Sequence, residues 1–365
     1  MTVRTSVKRL LATSVAALIA ALMLATTVGV PMAQTRYDVT NYGATPNNSS
    51  NDSAAFMKAM QAAVRGGGVA YVPSGTYRIA NVKPPNHATL DVKATATLKK
   101  YGTSGGPLFL MQGPDARTFL KDVHVKGVNG DFMMDLSGAG DSTPGFVVRN
   151  VQGFSIKHMR CIQNDSDKRS GPPSSFRPCV SLLPMQSQKL ASGLYSAPYD
   201  GTLTDLHSTH SPYGWGLMQF TGGQRIAISN ISGEGGIPLR LENFQNNWTP
   251  MAHITADGVT CINGHAAANF NPHGVHHAGD IHLTNVRADS CEEGLSIGGT
   301  GTYGPNVTVS GLTVVAGNTA QVRTPSTNDP LGSWYIGPSK YCVRDYTNSY
   351  SVAITNKSCR GLPNG

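Results

Sequence analysis

Short apolar runs separated by Gly- and Asn-rich corners recur along the chain at a nearly constant interval. Four segments have an Asn or Gly immediately before an apolar residue, and these apolar residues are Ile231, Val259, Val286 and Leu312. They lie 28, 27 and 26 residues apart. Weaker copies of the pattern are GFSIKHMRC and GTLTDLHSTH. A repeat of this length, with two or three short strands and no helical period, predicts the coils of a parallel β-helix.

The alternative all-β fold is an antiparallel β-sandwich, which would show hairpin signals at regular short spacing instead. The 41 glycines and the short β-branched runs are typical of strands and turns. We therefore expect one β-helix domain over residues 35–365, in which the repeats weaken after about residue 318. Beyond that point we expect loops and a disulfide rather than another domain.

The first 34 residues have the pattern of a secretory signal peptide. Arg4, Lys8 and Arg9 form a basic start, residues 10–30 are mostly apolar, and Ala33 offers a small residue for cleavage. A membrane anchor is the alternative. We expect a secreted or periplasmic protein with no membrane association after cleavage. Those three basic residues account for three of the eight net positive charges, so the mature chain would carry +5, which suits an anionic partner such as an acidic glycan.

Six cysteines in an exported chain favour disulfide bonds. Two pairs bracket short segments, and the remaining two cysteines can pair only if their segments stack. Six cysteines allow fifteen connectivities, so spacing alone leaves others open. The pairs that we expect are Cys161–Cys179, Cys342–Cys359 and Cys261–Cys291. Zinc is the rival interpretation, but no C-x-x-C spacing occurs, and we expect no metal or other cofactor.

Residues 37–79 have the pattern of a strand, a capping helix, a GGG turn, a second strand and the sequence PSGTY. This order resembles the N-terminal segment of pectin-lyase-like right-handed β-helix proteins. The helix is expected over residues 52–65, with Asn51 or Asp52 as its cap and an apolar face that includes Ala54, Met57 and Ala62. The resemblance implies a single-stranded right-handed parallel β-helix. It predicts fold better than function, because hydrolases, lyases, epimerases and phage tailspikes share it.

Residues 214–291 contain a glycine-rich lead into the strand segment PLRLE, a following coil that ends in Pro-His, and paired cysteines after the strands. These features resemble the iota-carrageenase family, secreted β-helix hydrolases of a sulfated galactan. The resemblance implies that Glu242 is the proton donor, that His273 is a catalytic-site histidine and that Gln219 is a polar residue of the preceding coil.

One departure from that family affects the chemistry. The family has an Asp two residues after its catalytic Glu, where this chain has Phe244. Inverting glycoside hydrolysis requires an acid and a carboxylate base about 6.5–9.5 Å apart. The base would then come from a neighbouring coil, and the candidates are Glu234, Asp289, Glu292 and Glu293.

Strand geometry predicts a polar strip around Glu242. In a strand at PLRLE, Leu239 and Leu241 face inward, whereas Arg240 and Glu242 stand on the outer face. Coils stacked about 4.8 Å apart would add polar residues from neighbouring coils, with aromatic cover from nearby rings. The predicted strip and substrate-binding set comprises Gln219, Arg240, Asn269, Asn271 and Glu293, with His273 at the edge and Trp215, Phe244, Trp248 and Phe270 as cover. The alternative for Arg240 and Glu242 is a solvent-exposed ion pair.

The function predicted from these residues is hydrolysis of glycosidic bonds in an acidic polysaccharide, uronic or sulfated, with Glu242 as general acid. One alternative is a polysaccharide lyase in which His273 and Arg240 act on a uronate. Another is a non-catalytic glycan-binding β-helix. The segment HGVHH lacks the helical spacing of zinc hydrolases. The chain has no phosphate loop, nucleotide fingerprint or basic–aromatic alternation, so no nucleic-acid partner is expected. The identity of the sugar and the oligomeric state are left open by these patterns.

Overall fold

The chain winds through parallel strands that stack, coil upon coil, in register. This is seen in a computed structural model that describes residues 34–103, 105–139, 143–163, 178–211, 215–242, 249–272, 279–299, 307–317, 339–346 and 351–362. The segment Arg36–Gly365 forms one compact unit. No helix within these ranges is long and apolar enough to cross a membrane. The predicted signal peptide lies outside the described residues, apart from Gln34.

The described residues contain a 3-10 helix (Val39–Tyr42), the α-helix α1 (Ser53–Gly66) and 26 strands. The strands are β1 (Arg36–Asp38), β2 (Val69–Val72), β3 (Gly75–Ile79), β4 (Thr89–Lys93), β5 (Ala96–Lys100), β6 (Phe109–Gln112), β7 (Leu120–Val128), β8 (Phe132–Asp135), β9 (Phe146–Arg149), β10 (Val151–Ile162), β11 (Val180–Leu183), β12 (Met185–Lys189), β13 (Tyr195–Ser196), β14 (Tyr199–Ser211), β15 (Met218–Phe220), β16 (Gly223–Gly235), β17 (Leu239–Leu241), β18 (Met251–Ile262), β19 (Ala266–Phe270), β20 (Ile281–Asp289), β21 (Glu293–Ile297), β22 (Val307–Ser310), β23 (Thr313–Val315), β24 (Tyr341–Asp345), β25 (Ala353–Thr355) and β26 (Ser358–Arg360).

Two parallel sheets form the walls of the coil. The long sheet follows the order β1-β2-β4-β7-β10-β14-β16-β18-β20-β22-β25, and β3, β5, β8, β23 and β26 extend it. The short sheet follows the order β6-β9-β11-β15-β17-β19-β21-β24. An antiparallel pair, β12 and β13, is separate from both. The fold is therefore the predicted parallel β-helix, and its apolar side chains, including Phe220 and Phe270, form one internal core.

The corners of the long strands explain the sequence repeat. Asn230, Gly258, Asn285 and Gly311 all have a left-handed backbone, with φ between 50° and 74°. Only Gly, and less often Asn or Asp, adopts this conformation at low cost. The next residue enters the core, and strand register pairs Ile231 with Val259 and Val259 with Val286. The sequence repeat therefore arises from these stacked corners.

Helix α1 closes the first coil, as predicted, with small differences. Its range is Ser53–Gly66, one residue later at each end than expected. Asn51 accepts a hydrogen bond from the Ser53 backbone at 3.1 Å, whereas the Asp52 carboxylate accepts from the backbone of Thr45 instead. The buried face is Ala55, Phe56, Ala59, Met60 and Ala63. Of the expected apolar face, Met57 packs against the core, whereas the placement of Ala54 was wrong, since Ala54 is exposed.

Strand pairing continues beyond residue 318. Strand β24 joins the short sheet beside β21, while β25 and β26 pair with β22 and β23. The expectation of loops there was incomplete, because backbone pairing does not need the side-chain repeat to persist. The structure contains the three disulfides Cys161–Cys179, Cys261–Cys291 and Cys342–Cys359.

Candidate active site

The outer face of the short sheet carries a row of polar side chains at its centre. Leu239 and Leu241 lie in the core, so Arg240 between them lies on the outer face. Register places Gln219 beside Arg240 on one side and Asn269 on the other. The predicted stacking of β15, β17 and β19 is therefore correct.

Glu242 follows β17 directly and is held by residues of three strands or strand ends. Its side chain is buried, with 6% of the residue exposed. Its Oε2 accepts a hydrogen bond from Gln219 Nε2 at 2.9 Å, and its Oε1 accepts one from Asn271 Nδ2 at 2.9 Å. Arg240 Nη2 lies 2.8 Å from Oε2. The carboxyl group thus has one defined position, because donors reach it from the preceding coil, its own coil and the following coil.

Arg240 is itself fixed between a carboxylate and an aromatic ring. Its guanidinium carbon lies 4.1 Å from the centroid of the Trp215 ring, a cation–π contact. The side chains of Arg240 and Glu242 are 15% and 8% exposed. This is a buried pair rather than the solvent-exposed pair that the sequence left open. Trp215, expected as cover for the site, lies on Arg240.

Gln219 can serve both protonation states of Glu242. It is 2% exposed, and its amide carries both a donor and an acceptor. In the orientation described, Nε2 donates to an ionised Glu242. After a rotation of the amide by half a turn, the Gln219 oxygen would accept a hydrogen bond from a protonated Glu242.

The placement of Glu293 in this strip was wrong. Register sets Ser296, not Glu293, beside Asn269, and Glu293 beside Ala266. Glu293 is fully buried and accepts a hydrogen bond from Arg344 Nη1 at 2.8 Å. The residue of this coil that is level with Asn271 is Gly298, because Ile297 pairs with Phe270. Glu293 lies five positions before Gly298, a distance of about 16 Å along an extended strand. Glu293 is therefore not beside Glu242.

The other candidate bases are also at the wrong end of the short strands. Glu234 is the second-to-last residue of β16 and therefore precedes β17, whereas Glu242 follows β17. Asp289 and Glu292 precede β21 in the same way, and Glu292 pairs with Lys340 at 3.5 Å. Glu234, Asp289 and Glu292 lie before a short-sheet strand and Glu293 is the first residue of one, whereas Glu242 follows β17, so none has the position expected for a base that shares a water with Glu242.

Several predicted residues lie outside the described part of the chain. They are His273, Phe244 and Trp248, and their roles stay as the sequence predicts. Within the described part, His253 and His282 lie 2.5 Å and 3.4 Å from Asp280. Across those same ranges, no group of three or more His, Cys, Asp or Glu residues is arranged to hold a metal ion.

One residue on this face was missed by sequence reasoning. Arg149 ends β9, next to the core residue Val148, and is paired in register with Leu183 of β11. Leu183 is level with Thr221 and so with Glu242, because β11, β15 and β17 are in register. The available signal was the alternation in FVVR, which puts Arg149 on the outer face two positions after Val147.

Comparison with known proteins identifies the class. The chain belongs to the family described as rhamnogalacturonase A/epimerase, pectate lyase-like, whose model matches residues 37–260. It is 25% identical over 264 residues to an iota-carrageenase of Alteromonas macleodii, which covers 70% of this chain and 51% of that protein. It is 24% identical over 268 residues to an iota-carrageenase of Zobellia galactanivorans, which covers 69% of this chain and 50% of that protein. The chain thus spans about half the length of these relatives.

The fold of a solved iota-carrageenase is also similar. The structure of that enzyme complexed to iota-carrageenan fragments superimposes with a TM-score of 0.74 at 19% identity, and it covers 92% of this chain and 91% of that one. This similarity confirms the pectin-lyase-like right-handed parallel β-helix. The resemblance to iota-carrageenases is likewise confirmed by the two relatives.

Proposed function

We propose that this protein hydrolyses glycosidic bonds in an acidic polysaccharide, with Glu242 as the general acid. The observation that carries the proposal is the buried carboxyl of Glu242, held by Gln219, Arg240 and Asn271 on the outer face of the short sheet. The similarity to iota-carrageenases supports a sulfated galactan as the first substrate to test. The three disulfides support an exported protein, since such bonds persist in oxidising compartments.

The neighbours of Glu242 suit a group that loses a proton during the reaction. With the substrate bound over the site, Glu242 carries a proton, for which the rotated Gln219 oxygen is the acceptor, and it gives this proton to the leaving glycosidic oxygen. The carboxylate that results then receives hydrogen bonds from Gln219 and Asn271 and the charge of Arg240. Asn271 and Arg240 already point donors at Glu242, and donors placed in this way stabilise a charge that develops in the transition state without reorganisation. Arg240 also orients Glu242 and meets an anionic substituent of the substrate.

The water is activated by a residue other than the four carboxylates considered above. Phe244 stands where the resemblance to iota-carrageenases implies an Asp. Glu234, Asp289 and Glu292 precede the short-sheet strands, and Glu293 is the first residue of β21. His273 follows Asn271 by two residues, and an imidazole can accept a proton near neutral pH. We therefore assign to His273, together with Gln219, the positioning of the substrate or the attacking water.

One assay tests the reaction class. The secreted protein is incubated with iota-carrageenan, alginate and pectate, and both reducing ends and the ultraviolet absorbance of unsaturated products are followed. Hydrolysis predicts new reducing ends without the ultraviolet signal. Both signals together would show elimination and overturn the proposal in favour of a lyase. If neither appears on any polymer, the protein is better described as a glycan-binding β-helix.

A further inference from the structure

Arg149 shares the outer face of the short sheet with Glu242. Its neighbours Phe146 and Val148 point into the core, so the alternation along β9 turns Arg149 outward. The row of residues that contains Arg149 passes through Leu183 and Thr221 to Glu242. Three coil steps of about 4.8 Å place Arg149 about 14 Å from Glu242 along the helix axis.

Among the half-buried arginines that the structure describes, Arg149 is the one for which no described residue is a partner. In the described ranges, Arg78 donates to the Asn48 carbonyl, Arg240 pairs with Glu242, and Arg344 pairs with Glu293. No described residue forms a hydrogen bond or ion pair with the guanidinium of Arg149, and its Nε is buried. A buried donor without an acceptor has lost its hydrogen bonds to water without forming a new one, which costs free energy.

The charge of Arg149 is also uncompensated. Burial lowers the pKa of Arg149, and no carboxylate among the described residues opposes that effect. By contrast, hydrogen bonding to Asp200 raises the pKa of Arg225 on the long sheet. Removing solvent from a cation costs free energy unless a counter-charge is supplied. An anion that docks on the outer face would supply that charge.

We propose that Arg149 binds an anionic substituent, a sulfate or a carboxylate, of a polysaccharide chain that lies across the short sheet and reaches Glu242. The proposal rests on the proposed function for the identity of the polymer. Arginine suits this role because its planar fork can donate two parallel hydrogen bonds to either oxyanion. The distance of about 14 Å along the helix axis between Arg149 and Glu242 exceeds the length of one sugar ring. Arg149 therefore binds only chains that extend over several coils.

Binding measured without cleavage provides the test. Dissociation constants are determined for iota-carrageenan, alginate and uncharged agarose by affinity electrophoresis in the cold. We expect Arg149→Gln to bind the two acidic polymers about tenfold more weakly, as befits the loss of a charge-assisted hydrogen bond. Binding to agarose should not change. Arg149→Lys should retain part of the affinity, since it keeps the charge and loses the fork.

Arg360→Gln is the matched control, because it removes the same charge from an exposed position on β26 of the long sheet. The affinity for the acidic polymers should change by less than about twofold, because solvent-exposed charges contribute little. Arg149→Gln and the stem-preserving Arg149→Met should melt at or above the wild-type temperature, since both remove a desolvated charge. An unchanged or higher melting temperature would show that Arg149 is not needed for the stability of the fold, so that a loss of affinity reflects lost binding.

Three outcomes would overturn the subsite. They are wild-type affinity in Arg149→Gln, an equal loss in Arg360→Gln, and a wild-type protein that binds neither acidic polymer. The cleavage assay decides the proposed function separately, because a binding loss confined to Arg149 supports the subsite even in a protein that cleaves nothing. If cleavage occurs, kcat/KM should fall about tenfold for long chains and stay unchanged for the shortest cleaved oligosaccharides.

Discussion

Glu242 is a buried acid whose position depends on its neighbours more than on its own strand. β17 has three residues, too short to hold a side chain by itself, and donors from Gln219 and Asn271 come from the coils on either side. Arg240 depends on Glu242 in turn, since both side chains are largely buried. Breaking a buried ion pair by removing one partner typically costs about 3–5 kcal/mol. The proposed catalysis and the stability of the fold are therefore coupled at this site.

Replacing Glu242 by Gln should separate the two effects. The amide keeps the size of the side chain but cannot act as an acid, so we expect kcat to fall by about 100- to 10,000-fold. The free energy of unfolding should fall by up to about 3 kcal/mol, because Arg240 loses its counter-charge. Turnover is measured well below the melting temperature, which is read by circular dichroism.

Ser296→Ala is the control for the Glu242 variant. Ser296 lies on the same outer face, two coils from Arg240, and takes no part in the proposed reaction. We expect near-normal turnover from it. Near-normal turnover in Glu242→Gln as well would place the active site elsewhere on the β-helix.

At the scale of the strands, the left-handed corners decide where each coil bends. Asn230 also donates a hydrogen bond to Asp205 of the preceding coil at 2.6 Å, and Asn285 donates to Asp257 at 2.7 Å. Such corners combine a backbone conformation that few residues accept with a ladder of polar contacts between coils. Gly258 occupies one corner without a side chain.

Gly258 therefore offers a clean measure of backbone strain. Its φ is 74°, and an added Cβ would meet no atom closer than 3.5 Å, so space is not limiting. We expect Gly258→Ala to lower the free energy of unfolding by about 1–2 kcal/mol and Gly258→Asn to lower it less. Chemical denaturation measures both. Gly138→Ala is the control, because nothing lies within 4 Å of its Cβ and its φ is ordinary. Equal losses in the Ala and Asn variants at 258 would contradict the strain argument.

The same corners explain how far the sequence could predict the structure. They mark the long strands, so the repeat predicted the fold and the stacking of Gln219, Arg240 and Asn269. The short sheet is reached through turns of unequal length. Arg240 follows the corner residue Ile231 by nine residues. In the coil that begins at Val286, Ser296 follows Val286 by ten residues, whereas Glu293 follows it by seven. A glutamate near the right motif was therefore placed in the wrong row, because the turn length sets the register and has no side-chain signature.

Arg149 was not predicted for a different reason. It lies far from the iota-carrageenase-like segment in sequence, and only the stacking of β9, β11, β15 and β17 brings it into the row of Glu242. A single arginine at the end of an apolar strand carries no motif. That no described residue pairs with Arg149 is a property of the folded coil, where its neighbours in space come from other repeats.

At the scale of the whole molecule, several titratable groups point to the same response to acid. Burial lowers the pKa of His124 and His207 below the ordinary 6.5, and both are half-buried on the long sheet. Hydrogen bonds from Thr284 and Asn285 lower the pKa of Asp257 below the ordinary 3.8. The folded state thus binds protons less readily than the unfolded state at each of these groups, so protonation favours unfolding.

We expect the free energy of unfolding to fall in two steps on acidification. The first step begins as the pH drops below 6.5, where His124 and His207 of the unfolded chain take up protons before those of the folded chain. The second begins below 3.8, where Asp257 of the unfolded chain is protonated first. Urea denaturation from pH 8 to pH 3 measures both, and a double variant with His124→Gln and His207→Gln should lose much of the first step while keeping the second. Stability that stays level between pH 7 and pH 5 in the wild-type protein, or an equal slope in the double variant, would refute this assignment.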